Sequence, residues 1–208
     1  DPVAADEECR RVMPVIEGLA KELSIPISID TSKAAVAKQA VAAGAEIIND
    51  VTGLQGDPDM LQTAVEAGVG VCVMHMQGTP DTMQQNPTYE NITKEVVDYF
   101  IQKTTACKAA GIIDLILDPG FGFGKTISHN FQLLKSMEAL QIFNVPILAG
   151  LSRKSTIWKT LQITPEEALN GTTVLNTIAL TKGASILRVH DVKEAVEAVK
   201  LYEAYSNA

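Results

Sequence analysis

Apolar positions along the chain fall into two alternating rhythms: short β-rich runs that end in polar residues, and longer stretches with helical spacing. Residues 7–23 carry Val12, Val15, Ile16, Leu19 and Leu23 on one helical stripe. Residues 25–29 read as a strand ending at Asp30-Thr31-Ser32, and 33–43 as an Ala/Val helix stopped by Gly44. Residues 46–48 end at Asn49-Asp50. Asp57 is predicted to N-cap a helix that has Pro58 in its first position and stops at Gly68. Residues 69–74 end at His75-Met76-Gln77-Gly78. A polar loop containing Pro80 and Pro87 leads to a long helix over 92–110, stopped by Gly111.

The stretch LILDPGFGFGK (115–125) states the pattern most sharply, because an apolar run stops at a carboxylate and empties into Pro119 and three alternating glycines. A buried strand has no local reason to end in a charge, so Asp118 either caps loop amides or faces a ligand. A helix is predicted over 130–140, a strand over 145–149 ending at Gly150-Leu151-Ser152-Arg153-Lys154-Ser155, and helical residues over 165–182. A strand over 184–189 ends in His190-Asp191, and 192–205 is the last helix. The unit of strand, polar terminus, helix and glycine stop recurs six times.

Alternation of this kind implies a parallel sheet with right-handed crossovers. A doubly wound open sheet and a (β/α)8 TIM barrel both satisfy it. In the open sheet only two or three strand ends gather at a ligand, whereas a barrel brings all of them to one mouth. Every strand here ends in polar residues, which favours the α/β barrel. Six strands do not close such a barrel, so the first two strands are expected to be missing from this sequence, which opens on Asp1-Pro2 directly before a helix.

Composition narrows the classes. The 208 residues suit one domain over 1–208, N-terminally incomplete, and no linker-like segment divides them. A net charge of -8 argues against a nucleic-acid partner, whose binding needs clustered Lys and Arg. No apolar run is long enough for a membrane span. Cys9, Cys72 and Cys107 form no CxxC pair, which points to buried thiols in a reduced cytoplasmic protein.

The strand ends offer Asp30, Asn49, Asp50, His75, Asp118, Lys154, Arg188 and His190. Singly, each has a structural explanation: Asp30 and Asp50 as caps, His75 and His190 as satisfied polar residues, Lys154 as a solvated cation. Together they sort into two groups. Asp30, Asn49, Asp118 and Lys154 supply acceptors and donors suited to a flat, donor-rich heterocycle. Arg188, His190 and Ser152 suit an oxyanion or phosphate. The run GFGFGKT ends like a phosphate-binding P-loop, but Pro119 occupies its first glycine position, and Lys125 replaces the third glycine of a dinucleotide fingerprint. The glycines are expected to allow a sharp turn or a close backbone approach. Metal binding by His75, His129 and His190 lacks ligand spacing.

SIDTSK (28–33), IINDV (47–51), MHMQGTP (74–80), DPGFGFGK (118–125), GLSRKS (150–155) and RVHDV (188–192) resemble the successive signatures of the dihydropteroate synthase family. The resemblance implies a (β/α)8 barrel, usually a homodimer. The family condenses 6-hydroxymethyl-7,8-dihydropterin diphosphate with para-aminobenzoate in folate biosynthesis, with Mg2+ assisting, and is the target of sulfonamides. Carried over by motif, it implies pterin binding by Asp30, Asn49, Met74, Asp118, Phe123, Gly150, Lys154 and Arg188. It further implies diphosphate binding by Arg188 and His190, a place near the aminobenzoate for Ser152, and catalytic roles for Lys154, Arg188 and His190.

The family also begins with strands and loops reading roughly NVTPDSF, with an Asn near the metal, and GGESTRPG, which covers the aminobenzoate. Neither occurs here, so the metal ligand falls outside this sequence, and the chain by itself is expected at best to bind pterin weakly. A related pterin-binding methyltransferase would share the barrel but has no use for a diphosphate site at Lys154, Arg188 and His190. A pterin-binding remnant without activity is the non-enzymatic alternative.

Overall fold

A computed structural model of the chain describes residues 3–78, 83 and 86–208. Asp1-Pro2 and Pro80 of the polar loop lie outside the described residues. The chain falls into two compact units, one comprising Asp1–Met74 and Gln102–Ile116, the other His75–Ile101 and Leu117–Ala208.

The first unit opens with helix α1 (Ala5–Glu22), then β1 (Ser28–Asp30), α2 (Ala34–Ala42), β2 (Ile47–Asp50), α3 (Met60–Ala67) and β3 (Gly70–Met74). Helix α4 (Ile92–Ala110) and strand β4 (Leu115–Asp118) are each divided between the units. The sheet order is β1-β2-β3-β4, and β1-β2 and β2-β3 pair in parallel, with Asp30 opposite Asn49 and Asn49 opposite Cys72. Parallel strands lie between layers, which explains why Ile48, Val71, Cys72 and Val73 are buried. Helix α2 is Ala-rich, the composition that forms helix most readily, and Val36, Ala37 and Ala40 are fully enclosed. Gly44 follows it with φ +115, and a Cβ there would lie 2.7 Å from Ala20 Cβ.

Asp57 does not N-cap the helix predicted to follow it. α3 starts at Met60 after Asp59, and the Asp57 carboxylate instead accepts the amides of Asp59 at 3.0 Å and of Ala34, the first residue of α2, at 2.9 Å. Pro58 delays the helix while the carboxylate serves a different one. In α1 only Cys9 and Ile16 are buried; Val15, Leu19 and Leu23 of the predicted stripe are exposed.

In the second unit, α5 (Ile127–Lys135) starts in a capping box, with the Thr126 hydroxyl accepting from His129 N and His129 Nδ1 accepting from Thr126 N. A 3-10 turn follows over Met137–Phe143, so the helix predicted over 130–140 is two pieces. Buried Met137 and Leu140 stand three apart, the spacing a 3-10 turn eclipses. Then come β5 (Leu148–Ala149), α6 (Ser155–Leu161), α7 (Leu169–Thr181), β6 (Ile186–Leu187) and α8 (Val192–Ser206). The periodicity missed α6, which buries Thr156 and Ile157. Strand β5 pairs with β6 in parallel, and Leu117 of β4 bridges Ile147. Phe100, Leu117, Phe121, Leu133, Ile147 and Leu151 fill this unit's interior.

Candidate active site

The second unit gathers charge at its strand ends. Strand β4 ends in Asp118, whose side chain is fully buried. Its Oδ1 accepts the amide of Gly120 at 2.7 Å, and its Oδ2 accepts Arg188 Nη2 at 2.8 Å. Asp118 therefore both caps the loop and pairs with a cation that follows β6. Arg188 is held by its own backbone, which donates to Ala149 O at 3.1 Å and so extends the β5-β6 ladder. Its Nη1 is buried with no partner. A buried guanidinium donor left unpaired is costly, and it marks a place for an acceptor from outside the chain.

Lys154, just before α6, sends its ammonium to the carbonyl of Phe121 and lies 4.7 Å from the Phe123 ring centroid, in cation-π range. Gly122 makes room for that stem, since a Cβ there would be 3.1 Å from Lys154 Cδ. Gly150 does the same for Arg188, whose Nη2 would be 2.8 Å from a Cβ. Burial lowers the Lys154 pKa to about 8; Asp118 opposes the fall and Arg188 adds to it.

Ser152 is buried, and its hydroxyl meets His190 Nδ1 at 2.9 Å while accepting His190 N at 3.2 Å. One residue further along each loop, Arg153 makes a two-pronged ion pair with Asp191, Nε to Oδ2 at 2.8 Å and Nη2 to Oδ1 at 2.9 Å. Two adjacent pairs thus fasten the loop after β5 to the loop after β6, and leave the His190 ring exposed at its edge.

The first unit carries its own polar pair. Asn49 Nδ2 donates to Asp30 Oδ2 at 2.9 Å, as their opposed positions in the ladder allow. Asn49 is buried, and its Oδ1 lacks a partner. Met74 ends β3 and is buried. Asp50, in contrast, is a structural residue: its carboxylate accepts Thr52 N, Thr52 Oγ1 and Leu54 N at 2.8 to 2.9 Å.

Sequence reasoning missed Lys125. Only 3% exposed, its ammonium meets His75 Nδ1 at 3.0 Å and the carbonyls of Gly120 at 2.9 Å, Phe123 at 3.0 Å and His75 at 3.2 Å. Burial lowers its pKa to about 7, with Asp118 opposing and Lys154 assisting. Burial, and then the Lys125 charge, lower the His75 pKa to about 3, so the ring is neutral and its Nδ1 accepts.

A family model described as pterin binding enzyme matches residues 1–190. Dihydropteroate synthase of Escherichia coli K12 is 47% identical over 208 residues, covering 99% of this chain and 73% of the relative. The chain belongs to the dihydropteroate synthase family. The Haemophilus influenzae enzyme of the same name is 44% identical, covering all of this chain and 76% of its own. Among solved structures, the Yersinia pestis dihydropteroate synthase in a sulfonamide drug complex superposes with a TM-score of 0.96 at 44% identity, covering 99% of this chain and 75% of that one. The 7,8-dihydropteroate synthase of Vibrio fischeri ES114 gives 0.89 at 47% identity, covering 100% and 77%. The fold is thus the TIM barrel of dihydropteroate synthases, as the polar strand ends predict, and members of the family are transferases of folate biosynthesis.

Proposed function

We propose that the cluster of Asp118, Lys154 and Arg188 holds the pterin diphosphate of the dihydropteroate synthase reaction. The protein, as a member of that family, joins 6-hydroxymethyl-7,8-dihydropterin diphosphate to para-aminobenzoate with release of pyrophosphate. The observation that carries the site assignment is the Asp118-Arg188 pair with its spare donor: Nη2 is committed to the carboxylate, and Nη1 awaits an acceptor.

In this reading Asp118 accepts from the amino edge of the ring, as it accepts from Gly120 and Arg188 now. Lys154 donates to a ring acceptor, Phe123 covers a ring face, and Gly150 keeps Arg188 in place. By family likeness Asp30, Asn49 and Met74 are assigned to the pterin as well, and the unpartnered Asn49 Oδ1 supports that assignment. Arg188 and His190 take the diphosphate, and Ser152, which orients His190, also stands near the aminobenzoate.

The bond between the pterin methylene carbon and the diphosphate oxygen breaks, its electron pair leaving with pyrophosphate. The aminobenzoate nitrogen then attacks the methylene with its lone pair, and the proton it sheds passes to solvent or to the released pyrophosphate. The chain contributes by positioning the ring and by placing cations where charge gathers on the leaving group. Mg2+ is compatible with the family and would supply further charge neutralisation on the diphosphate. Such ions are commonly held by substrate phosphates with only one or two carboxylates. Among the described residues no group of three or more His, Cys, Asp or Glu is placed to cage a metal.

We also propose that two copies associate. Helices α7 and α8 expose Val174, Ile178, Leu201 and Tyr205, a set of apolar side chains that self-association would cover. A cytoplasmic location fits three buried free cysteines. Among the described residues no helix is long and apolar enough to cross a membrane.

The test is a calorimetric titration of the chain with the pterin diphosphate, with and without Mg2+, beside Asp118→Ala. Saturable binding that the substitution abolishes, in a variant whose circular dichroism shows it folded, is the expected result. Undiminished binding by the folded variant would overturn the assignment.

A further inference from the structure

The Lys125 ammonium lies inside the 118–125 loop and not on its surface. In the phosphate-cradling loops that GFGFGKT superficially matches, the lysine reaches out to a ligand. Here the Nζ faces inward, within hydrogen-bond distance of three carbonyls and one imidazole nitrogen, all from the second unit. An ammonium has three N–H donors, so four acceptors leave it no capacity for a substrate.

Those acceptors are informative. Two are the carbonyls of Gly120 and Phe123, which flank Phe121, whose carbonyl receives Lys154, and the second of them belongs to the residue whose ring Lys154 covers. The other two belong to His75, whose amide donates to Asp118 O at 3.0 Å. The loop has further anchors: Gly122 N on Asn130 Oδ1 at 2.8 Å, and Tyr89 Oη on Gly124 O at 2.8 Å. Gly124 has φ +58, and a Cβ there would lie 2.5 Å from Gln77 O, so the chain passes too close for any other residue. Lys125 ties Gly120, at the start of the glycine run, and Phe123, near its end, to one point. Without it the Phe123 and His75 carbonyls would lose their donor at about 1–3 kcal/mol each, while Gly120 O would keep only the Phe123 amide at 3.1 Å.

We propose that Lys125 is a positioning residue for pterin binding: its buried ammonium staples the Gly120, Phe123 and His75 carbonyls together and so holds the Phe121 carbonyl and Phe123 ring where Lys154 meets them. This rests on the pterin reading of the Asp118, Lys154 and Arg188 cluster. Lys125 touches no substrate and acts through the loop, as supporting groups do where small misplacements weaken a site.

Hydrogen exchange and calorimetry on Lys125→Met test it, with Lys182→Met, which removes only an exposed ion pair with Glu138, as control. We expect the folded Lys125→Met protein to exchange faster over residues 118–126 alone and to bind the pterin diphosphate at least ~10-fold more weakly. The control should change in neither respect. Wild-type exchange over the loop in the folded variant overturns the proposal, and so does faster exchange with unchanged affinity. If the methionine variant does not fold, Lys125→Gln, which keeps two donors, is read the same way with a smaller expected effect. Exchange of the wild-type Gly120 and Phe123 amides as fast as that of freely exposed loop amides also overturns it. Failure of the unmutated chain to bind the pterin diphosphate would instead remove the pterin reading, while loop exchange still decides whether the staple exists.

Discussion

Asp118 and Arg188, 70 positions apart in sequence, meet at 2.8 Å, with the carboxylate fully buried and one guanidinium nitrogen left without a partner. A pair of that form is incomplete in the free protein. Arg188→Lys keeps the charge but loses the planar fork. We expect pterin diphosphate affinity to fall by about 10-fold or more. Because the arginine side chain is 37% exposed, stability should change by only about 1 kcal/mol. Calorimetry beside urea denaturation separates the two effects, and a stability loss with intact affinity would contradict the assignment.

Gly150 leaves space for that same guanidinium. Gly150→Ala places a Cβ 2.8 Å from Arg188 Nη2, which must swing away from Asp118 to relieve it. The outcome should resemble Arg188→Lys in affinity, a loss of about 10-fold, with secondary structure unchanged by circular dichroism. An alanine variant that binds like the wild type would show that Arg188 need not stay in this position.

Asp50 provides a contrast, since it also ends a strand but spends its carboxylate on the turn at Thr52 and Leu54. Leu54 adopts φ +65, a strained conformation that this capping supports. Asp50→Ala should lower the free energy of unfolding by about 2–4 kcal/mol, as several buried bonds are lost. Equilibrium urea denaturation measures it; a change below about 0.5 kcal/mol would refute the structural role.

His75 links stability to acid. Its folded pKa of about 3 lies below the ordinary 6.5, chiefly through burial. Between those values the unfolded chain binds the extra proton, so stability rises with pH across that window and is lost as pH falls from 6.5 toward 3. Thermal midpoints taken at steps from about pH 4 to pH 7 should follow that slope, and His75→Gln should flatten it. An equal slope in the variant would assign the acid sensitivity elsewhere.

Lys154 carries the opposite limit. With its pKa lowered to about 8, it loses its proton as pH rises through that value, and its charge-assisted donation weakens. Pterin diphosphate affinity should therefore decline above about pH 8 in calorimetric titrations, and Lys154→Met should bind weakly at every pH without that decline.

The strand ends were readable because a parallel strand buried on both faces has to turn polar where it leaves the core, so Asp30, Asn49, Asp118 and Arg188 announced themselves locally. Lys125 did not. Three of its four partners are backbone carbonyls, which leave no residue-type signature, and its neighbours in sequence give no hint that its ammonium turns inward. The α6 helix was also hidden, since seven residues with two buried positions carry too little periodicity to stand out beside the polar loop before them.

By itself, then, the sequence determined the order of elements, the polar character of the strand ends and membership of the dihydropteroate synthase family, all of which depend on local periodicity and ordered motifs. Which groups meet was decided only in three dimensions: Asp118 with Arg188, Ser152 with His190, Arg153 with Asp191, and Asp57 with a helix other than the one it precedes. Pairing and desolvation depend on distance in space, and a change in burial turns the same lysine from a solvated charge into an internal staple.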